Sequence, residues 1–373
     1  MKQTSFTPGQ PWNDTNGLPI NAHQGGVLFH DGLYHWFGVA YSHGWEGRLA
    51  FTGVHCYSSR DLYNWKDEGL ALEVNDVPGS PIIRGCRIER PKVVFNNTTG
   101  KFVMWWHSSD QDHTIAKSGL AVADKPTGPY NFLRAYRPFA GVWPLNVRPE
   151  HKDIESIRLA ALECRTDIPA LNGENDAVKR HNVLGRDMPG GQYSRDMNLF
   201  KDDDGTLYHI YSSEHNSTLH IAEMDGDYTS HRQFARAFEN RWMEGPAMFK
   251  RDGKYFLFMS GCTGWKPNQA RSAVAEHPLG PWTELGDPCR GRNTLTGEGP
   301  DLTFGTQSTC VLKVEGIPNA YIAMMDDWDE SDFISSRYVW LPITFEPDGS
   351  FTIRWRETWD LGVFDGSPCG TRG

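Results

Sequence analysis

The chain has 373 residues, 38% of them hydrophobic and 12% aromatic, which is ample for a large core. Lys and Arg number 37 against 47 Asp and Glu, a formal charge of −10 with no basic block, and this argues against nucleic acid or an anionic membrane surface as partner. No apolar run approaches the roughly 18 residues of a membrane-spanning helix.

Taken in order, the chain repeats one phrase: an apolar run, a tight turn, an aromatic run. Val27-Leu28-Phe29-His30, Asp31-Gly32 and Leu33-Tyr34-His35-Trp36-Phe37 come first. Asp-Gly between alternating apolar runs predicts a hairpin, because both central residues of the favoured turn need positive φ. Val93-Val94-Phe95, a turn through Thr99-Gly100, and Phe102 to Trp106 make the second. Asn198-Leu199-Phe200 and Leu207 to Tyr211, split by Asp202-Asp203-Asp204-Gly205, make the third. Met248-Phe249, Asp252-Gly253 and Tyr255 to Phe258 make the fourth, and a looser fifth joins Thr309 to Leu312 with Ala320 to Met325. A second hairpin-like half follows each phrase. Five units of four short strands predict an all-β, five-bladed β-propeller, a ring that limits exposed sheet edges. Residues 144–187 break the pattern. Asp153 to Cys164 has helical composition, so this stretch reads as a partly helical insertion between blades two and three. Residues 1–373 are expected to form one catalytic domain, with a frayed tail from Ser367.

The seven cysteines are scattered without CxxC spacing, which argues against a zinc site. No cofactor is required, with room left for a structural calcium ion. Asp202-Asp203-Asp204-Gly205 lacks alternate ligand spacing and reads as a turn, and Asp326, Asp327, Asp329 and Asp332 read as a solvated acidic loop. No signal peptide is visible. The expectation is a secreted or periplasmic mature form, with a cytoplasmic protein as the alternative. Asn13, Asn96, Asn97 and Asn216 stand in N-x-[ST] triplets, which arise often by chance.

In a propeller the innermost strands begin near the axis, so the blade starts converge. Here they are polar: His23-Gln24, Glu89-Arg90, Arg195-Asp196, Glu244 and Gln307-Ser308. A carboxylate just before an apolar inner strand is partly buried, which raises its pKa and suits a general acid. A second carboxylate nearby orients it and shifts that pKa further. This is the chemistry of glycoside hydrolysis. Trp265 and Trp328 lie on strand-to-strand loops and are candidates for stacking on a sugar ring.

These phrases resemble glycoside hydrolase family 43, and within it the exo-β-1,3-galactanase subfamily. The matching stretches are Asn21-Ala22-His23, Glu89-Arg90-Pro91-Lys92-Val93, Ser194-Arg195-Asp196-Met197, Glu244 with Pro246-Ala247-Met248-Phe249, Cys262-Thr263-Gly264-Trp265, Gln307-Ser308-Thr309 and Ser336 to Pro342. The resemblance spans nearly all the chain outside 144–187. It implies a five-bladed propeller that hydrolyses with inversion and releases terminal galactose from a β-1,3-galactan. It also implies Glu244 as general acid and Asp196 as the group that orients and tunes it. Most of the family uses an Asp base at the start of blade one, where this chain has His23-Gln24 and no carboxylate. The subfamily is similar in this, and its blade-five Gln matches Gln307, either as a base through its imidic tautomer or as a positioner of water. Glu89 would bind the hydroxyls of the terminal sugar, and by chemistry alone it is also a candidate base. His23, His113, Asn216 and Thr263 complete the implied substrate contacts. Two positions depart from the subfamily: Val39 follows Phe37-Gly38 where a Glu is usual, and His113 stands in place of a pocket Tyr. The alternatives are another family 43 specificity, such as an arabinofuranosidase or galactofuranosidase, or a sugar-binding propeller without catalysis.

Overall fold

The computed structural model describes residues 2–164 and 176–365. Five antiparallel sheets follow one another round a ring. Blade one runs from the inner strand His23–His30 to the outer strand Lys66–Glu73, and blade two from Arg87–Asn96 to Asn131–Tyr136. Blade three runs from Met197–Lys201 to His231–Ala237, and blade four from Met243–Arg251 to Thr283–Gly286. Blade five starts at Gln307–Lys313, and its sheet has five strands, because the short Cys289–Arg290 adds in parallel to Phe351–Arg354. The Asp-Gly turns form as their chemistry requires, with positive φ at Asp31, Gly32, Asp252 and Gly253.

Large apolar side chains fill each seam between neighbouring blades. Phe37 and Val54 meet Met104 and Trp106 between blades one and two. Trp105 meets Leu207 and Tyr211 at the next seam, and Ile210 meets Met248 and Leu257 at the one after. The remaining two seams merge into one cluster around Trp36, Trp65, Phe249, Tyr321 and Trp340. Beside it the two ends of the chain pair. Phe6 and Trp359 exchange backbone hydrogen bonds of 2.7 and 3.1 Å, and their rings stack at 4.3 Å.

The expected helix in the insertion forms as Ile154–Glu163, capped by Asp153, whose side chain accepts from the Ser156 amide. A shorter helix, Val183–Asp187, leads back to blade three. The expected frayed tail lies outside the described residues.

Four of the five inner strands bulge near their starts, with register slips between His23 and Gly26, Glu89 and Lys92, Glu244 and Ala247, and Ser308 and Cys310. Three bulges contain a residue in the left-handed region: Gln24 at φ 56°, Arg90 at 54° and Gly245 at 57°. Pro91 and Pro246 occupy two of the unpaired positions, where a missing N–H costs no ladder bond. The bulges break the pleat at the axis and re-aim the polar residues there.

Candidate active site

Those re-aimed residues line one cavity of about 260 Å³ at the blade starts, bounded by Gln24, Glu89, Arg90, Asp196, Glu244 and Gln307 among others. A larger cavity of about 420 Å³ occupies the other end of the channel and is walled by all five inner strands; it holds none of the candidate catalytic groups. The chemistry therefore concentrates in the smaller one.

Glu244 is nine-tenths buried. Its Oε1 accepts from Asn216 Nδ2 at 2.7 Å and from the Cys262 thiol at 3.2 Å. Burial, reinforced by the negative charge of Asp196, pushes the carboxyl up to about 8 against the pull of Arg90 and Arg195. Asp196 Oδ2 pairs with Arg90 Nε at 2.7 Å and accepts from the Gly245 amide at 3.1 Å. It is thus tied to the backbone directly after the acid.

Arg90 links three blades. Besides Asp196 it donates to Gln307 Oε1 and to the Ser308 carbonyl, each at 2.7 Å. Gln307 Nε2 donates to Ser260 Oγ at 3.0 Å, and that hydroxyl donates onward to the Gly261 carbonyl. The Gln307 amide is held at both ends, with one acceptor direction left on Oε1. Gln24, where most of the resembling family has its base, has every polar group engaged. Its amide donates to Asp326, its carbonyl accepts from Lys92, its side-chain oxygen accepts from the Arg90 amide, and its Nε2 donates to Tyr41.

Glu89 is held differently from Glu244. Oε1 pairs with Arg87 at 3.0 Å, and Oε2 lies 2.8 Å from His107 Nδ1 and 3.0 Å from His113 Nε2. Burial opposes the charge, but the two histidines outweigh it and hold the carboxyl well below the usual range. A carboxylate so stabilised is a hydrogen-bond acceptor and a weak base. Glu89, His107 and His113 also place three ligand atoms within 4.8 Å of one another, the composition of a metal site. Arg195 argues against that use. Its Nη1 lies 3.2 Å from His113 Nδ1, and a guanidinium only donates. His113 therefore accepts at Nδ1 and carries its proton on Nε2, with no lone pair there for a cation.

Asn216, His113 and Trp265 line the cavity as expected. His23 does not. It is fully buried between the Tyr41 and Tyr338 rings, at 4.7 and 5.1 Å, and burial pushes its pKa down to about 3. Trp328 also stands behind the wall, its ring edge-on to Trp265 at 5.1 Å. Thr263 is spent within its own loop, donating to the Lys266 carbonyl and accepting from Asn268. The expected solvated acidic loop is not one: Asp326 is buried within the strand Tyr321–Asp327, and Asp332 accepts from the Gly44 amide and Ser335. Asn96 and Asn216 are buried, so two of the sequons are closed to glycan transfer.

Sequence reasoning gave no role to Arg87, Arg90, Arg195, Cys262 or Trp45, all of which line the cavity. A charge argument could have found Arg90: carboxylates converging on a dry axis need a buried cation between them.

A propeller whose axis holds a protonated carboxyl beside an anionic one, in a cavity the size of a sugar ring, is built as a glycoside hydrolase. The model of glycosyl hydrolases family 43 matches residues 182–296. A family 43 β-1,3-galactosidase, solved with galactodeoxynojirimycin, is 42% identical over 95% of this chain and all of that one, with a TM-score of 0.85. The exo-β-1,3-galactanase of Phanerochaete chrysosporium, solved as a glutamate-to-glutamine variant with β-1,3-galactotriose, is 28% identical over 97% of this chain and 69% of that one, with a TM-score of 0.75. An exo-β-1,3-galactanase from Clostridium thermocellum is 30% identical over 95% of this chain and 66% of that one, with a TM-score of 0.74. No curated protein matches. The chain belongs to glycoside hydrolase family 43.

Proposed function

We propose that this enzyme releases terminal galactose from a β-1,3-linked galactan by inversion. The observation that carries the reading is the contrast between two buried carboxyls in one cavity: Glu244 held protonated and Glu89 held ionised. Glu244 gives its proton to the glycosidic oxygen as the bond breaks. Asp196 keeps that proton in place by its charge and anchors the acid's backbone through Gly245. The remaining acceptor direction of Gln307 orients the attacking water. One of its two amide protons goes to Ser260, whose own proton ends on a backbone carbonyl, and a neutral amide oxygen is a weak base, so this chain of bonds is suited to orienting water rather than to removing its proton. Glu89 keeps an acceptor direction on Oε1 for a sugar hydroxyl. The cavity is below the ~300–1,000 Å³ usual for larger ligands, which suits the end of a chain over its middle. The names of the relatives supply the galactose and the β-1,3 linkage. The propeller and its insertion act as a single catalytic domain on this reading.

The test is incubation of wild type and Glu244→Gln with a β-1,3-galactan, with products separated by chromatography. Galactose from the wild type and a loss of roughly 10²–10⁴-fold in the variant are expected for a general acid. Arabinose or galactofuranose release from other glycans, with none from galactan, would overturn the substrate. Binding of glycan with no turnover would make the protein a lectin.

A further inference from the structure

The acid's two oxygens are not equivalent. Oε1 takes two donors, Asn216 Nδ2 at 2.7 Å and Cys262 Sγ at 3.2 Å. Among the described residues none donates to Oε2. An oxygen that accepts two hydrogen bonds is the carbonyl oxygen of the protonated acid, so the transferable proton belongs on Oε2.

Both donors are held from behind. Asn216 closes a run of three left-handed residues, Glu214, His215 and Asn216, at φ 50°, 57° and 64°. Such a run is costly for L-residues and persists only where its surroundings impose it. Here the constraint is Glu214, fully buried and paired with Arg236 at 2.7 and 2.8 Å and with His220 at 2.8 Å. Cys262 is 5% exposed and packs with Trp242, Cys164, Val178 and Val183. The last three come from residues 144–187. No described residue of that insertion lines the cavity. It backs the thiol that touches the acid instead.

We infer that Cys262 is a positioning residue for the general acid: its thiol, pressed forward by the insertion, fixes the Glu244 rotamer with Oε1 as acceptor and Oε2 as proton carrier. The inference rests on Glu244 being the acid. The groups facing Glu244 are Asp196 and Arg195 from the start of blade three, Arg90 from blade two, neutral Asn216, and Cys262 from its own blade. Of these, Asn216 and the Cys262 thiol are the neutral donors outside the carboxylate–arginine pairs, and the thiol is the one that packs against the insertion. A donor to the carboxylate stabilises the charged form, so removing it raises the pKa of Glu244 while loosening its aim.

The experiment compares wild type, Cys262→Ala, Cys262→Ser and Val183→Ala. The Glu244 carboxyl is titrated by carbon NMR, with Glu244→Gln assigning its resonance, and kcat/KM on β-1,3-galactan is followed against pH. In Cys262→Ala the titration midpoint and the basic limb should both move up by about half to one pH unit, with kcat lowered on the order of tenfold. Cys262→Ser restores a donor and should return both toward wild type. Val183→Ala thins the same apolar cluster while keeping the thiol; it should lower Tm and move the midpoint by less than Cys262→Ala does. An unmoved midpoint in Cys262→Ala, or a Val183→Ala variant that moves it equally, would overturn the inference. The NMR titration needs no substrate. A wild type that titrates as described yet releases no galactose would sink the proposed function and leave the positioning intact.

Discussion

Glu244 and Glu89 are the same residue type at equivalent places in two blades, and their surroundings push them in opposite directions. Glu244 has burial and Asp196 against its charge; Glu89 has His107 and His113 in favour. The pH dependence follows. Catalysis needs Glu244 protonated, so kcat/KM should fall as pH rises through about 8. On the acid side Gln307 does not titrate and Glu89 is ionised well below the usual carboxylate range, so the profile should run flat from pH 7 down to about 5. A bell with an acid limb near pH 6 would show that another group serves the water. Stability has the same origin and a definite sign. A carboxyl whose folded pKa is raised contributes stability below its unfolded value near 4.5, and that contribution is lost as pH rises toward 8. Glu244→Gln removes the titration. Relative to wild type it should gain about 1.4 kcal/mol per pH unit across that window, so its Tm should exceed wild type at pH 8 and match it near pH 4.5. Equal Tm differences at both pH values would argue against a protonated buried acid.

At the scale of elements, the bulges decide where the chemistry sits. A regular strand would send Glu89, Arg90 and Lys92 to alternating faces of a blade seam. The slip after Glu89 and the left-handed Arg90 turn the guanidinium onto Asp196, Gln307 and Ser308 instead. Gly245 performs the matching turn in blade four. A Cβ there would stand 2.6 Å from both the Ser308 carbonyl and its hydroxyl, on top of the left-handed penalty of roughly 1–2 kcal/mol. Gly245→Ala should therefore force blades four and five apart at the axis, lowering Tm and cutting kcat together. A variant with wild-type kcat would show that the close approach is dispensable. Arg90→Lys keeps the charge but cannot serve three acceptors from one planar fork, so it should lose activity on the order of a hundredfold while staying folded by circular dichroism.

At the scale of the whole molecule, the ring is closed by side-chain packing and by the meeting of its ends. Phe6 pairs with Trp359 beside the seam where Trp36, Trp65 and Trp340 pack ring against ring at 4.7 to 6.0 Å. The Gly9 amide adds a hydrogen bond to the Tyr338 carbonyl, and Tyr338 in turn holds the Ala22 amide at the start of blade one. Deleting residues 2–12 should leave five sheets with an unsecured seam. The expected outcome is a lower thermal midpoint and a loss of activity that tracks it, measured by calorimetry and galactose release in parallel. An unchanged midpoint would mean that apolar packing closes the ring unaided.

Much of this was legible in the chain alone. Alternating apolar runs and Asp-Gly turns specify hairpins by local chemistry, and their fivefold recurrence specifies the ring, because four-stranded units bury their faces only against one another. Glu244, Asp196, Glu89 and Gln307 stood out because each opens an inner strand. Pro91 and Pro246, in the middle of strand-like runs, are the sequence's signal for the bulges. What sequence could not settle was direction. His23 and Gln24 are neighbours at a blade start, yet one is stacked behind the wall and the other lines the cavity, because the bulge that holds Gln24 is fixed by contacts with Asp326 and Lys92 from the two flanking blades, far away in sequence. Trp265 and Trp328 looked alike on their loops, and only packing put one in front of the other. The local pattern determines which residues gather at the axis. The three-dimensional closure of the ring determines which of them share a dry cavity, and burial beside a like charge is what makes Glu244 an acid.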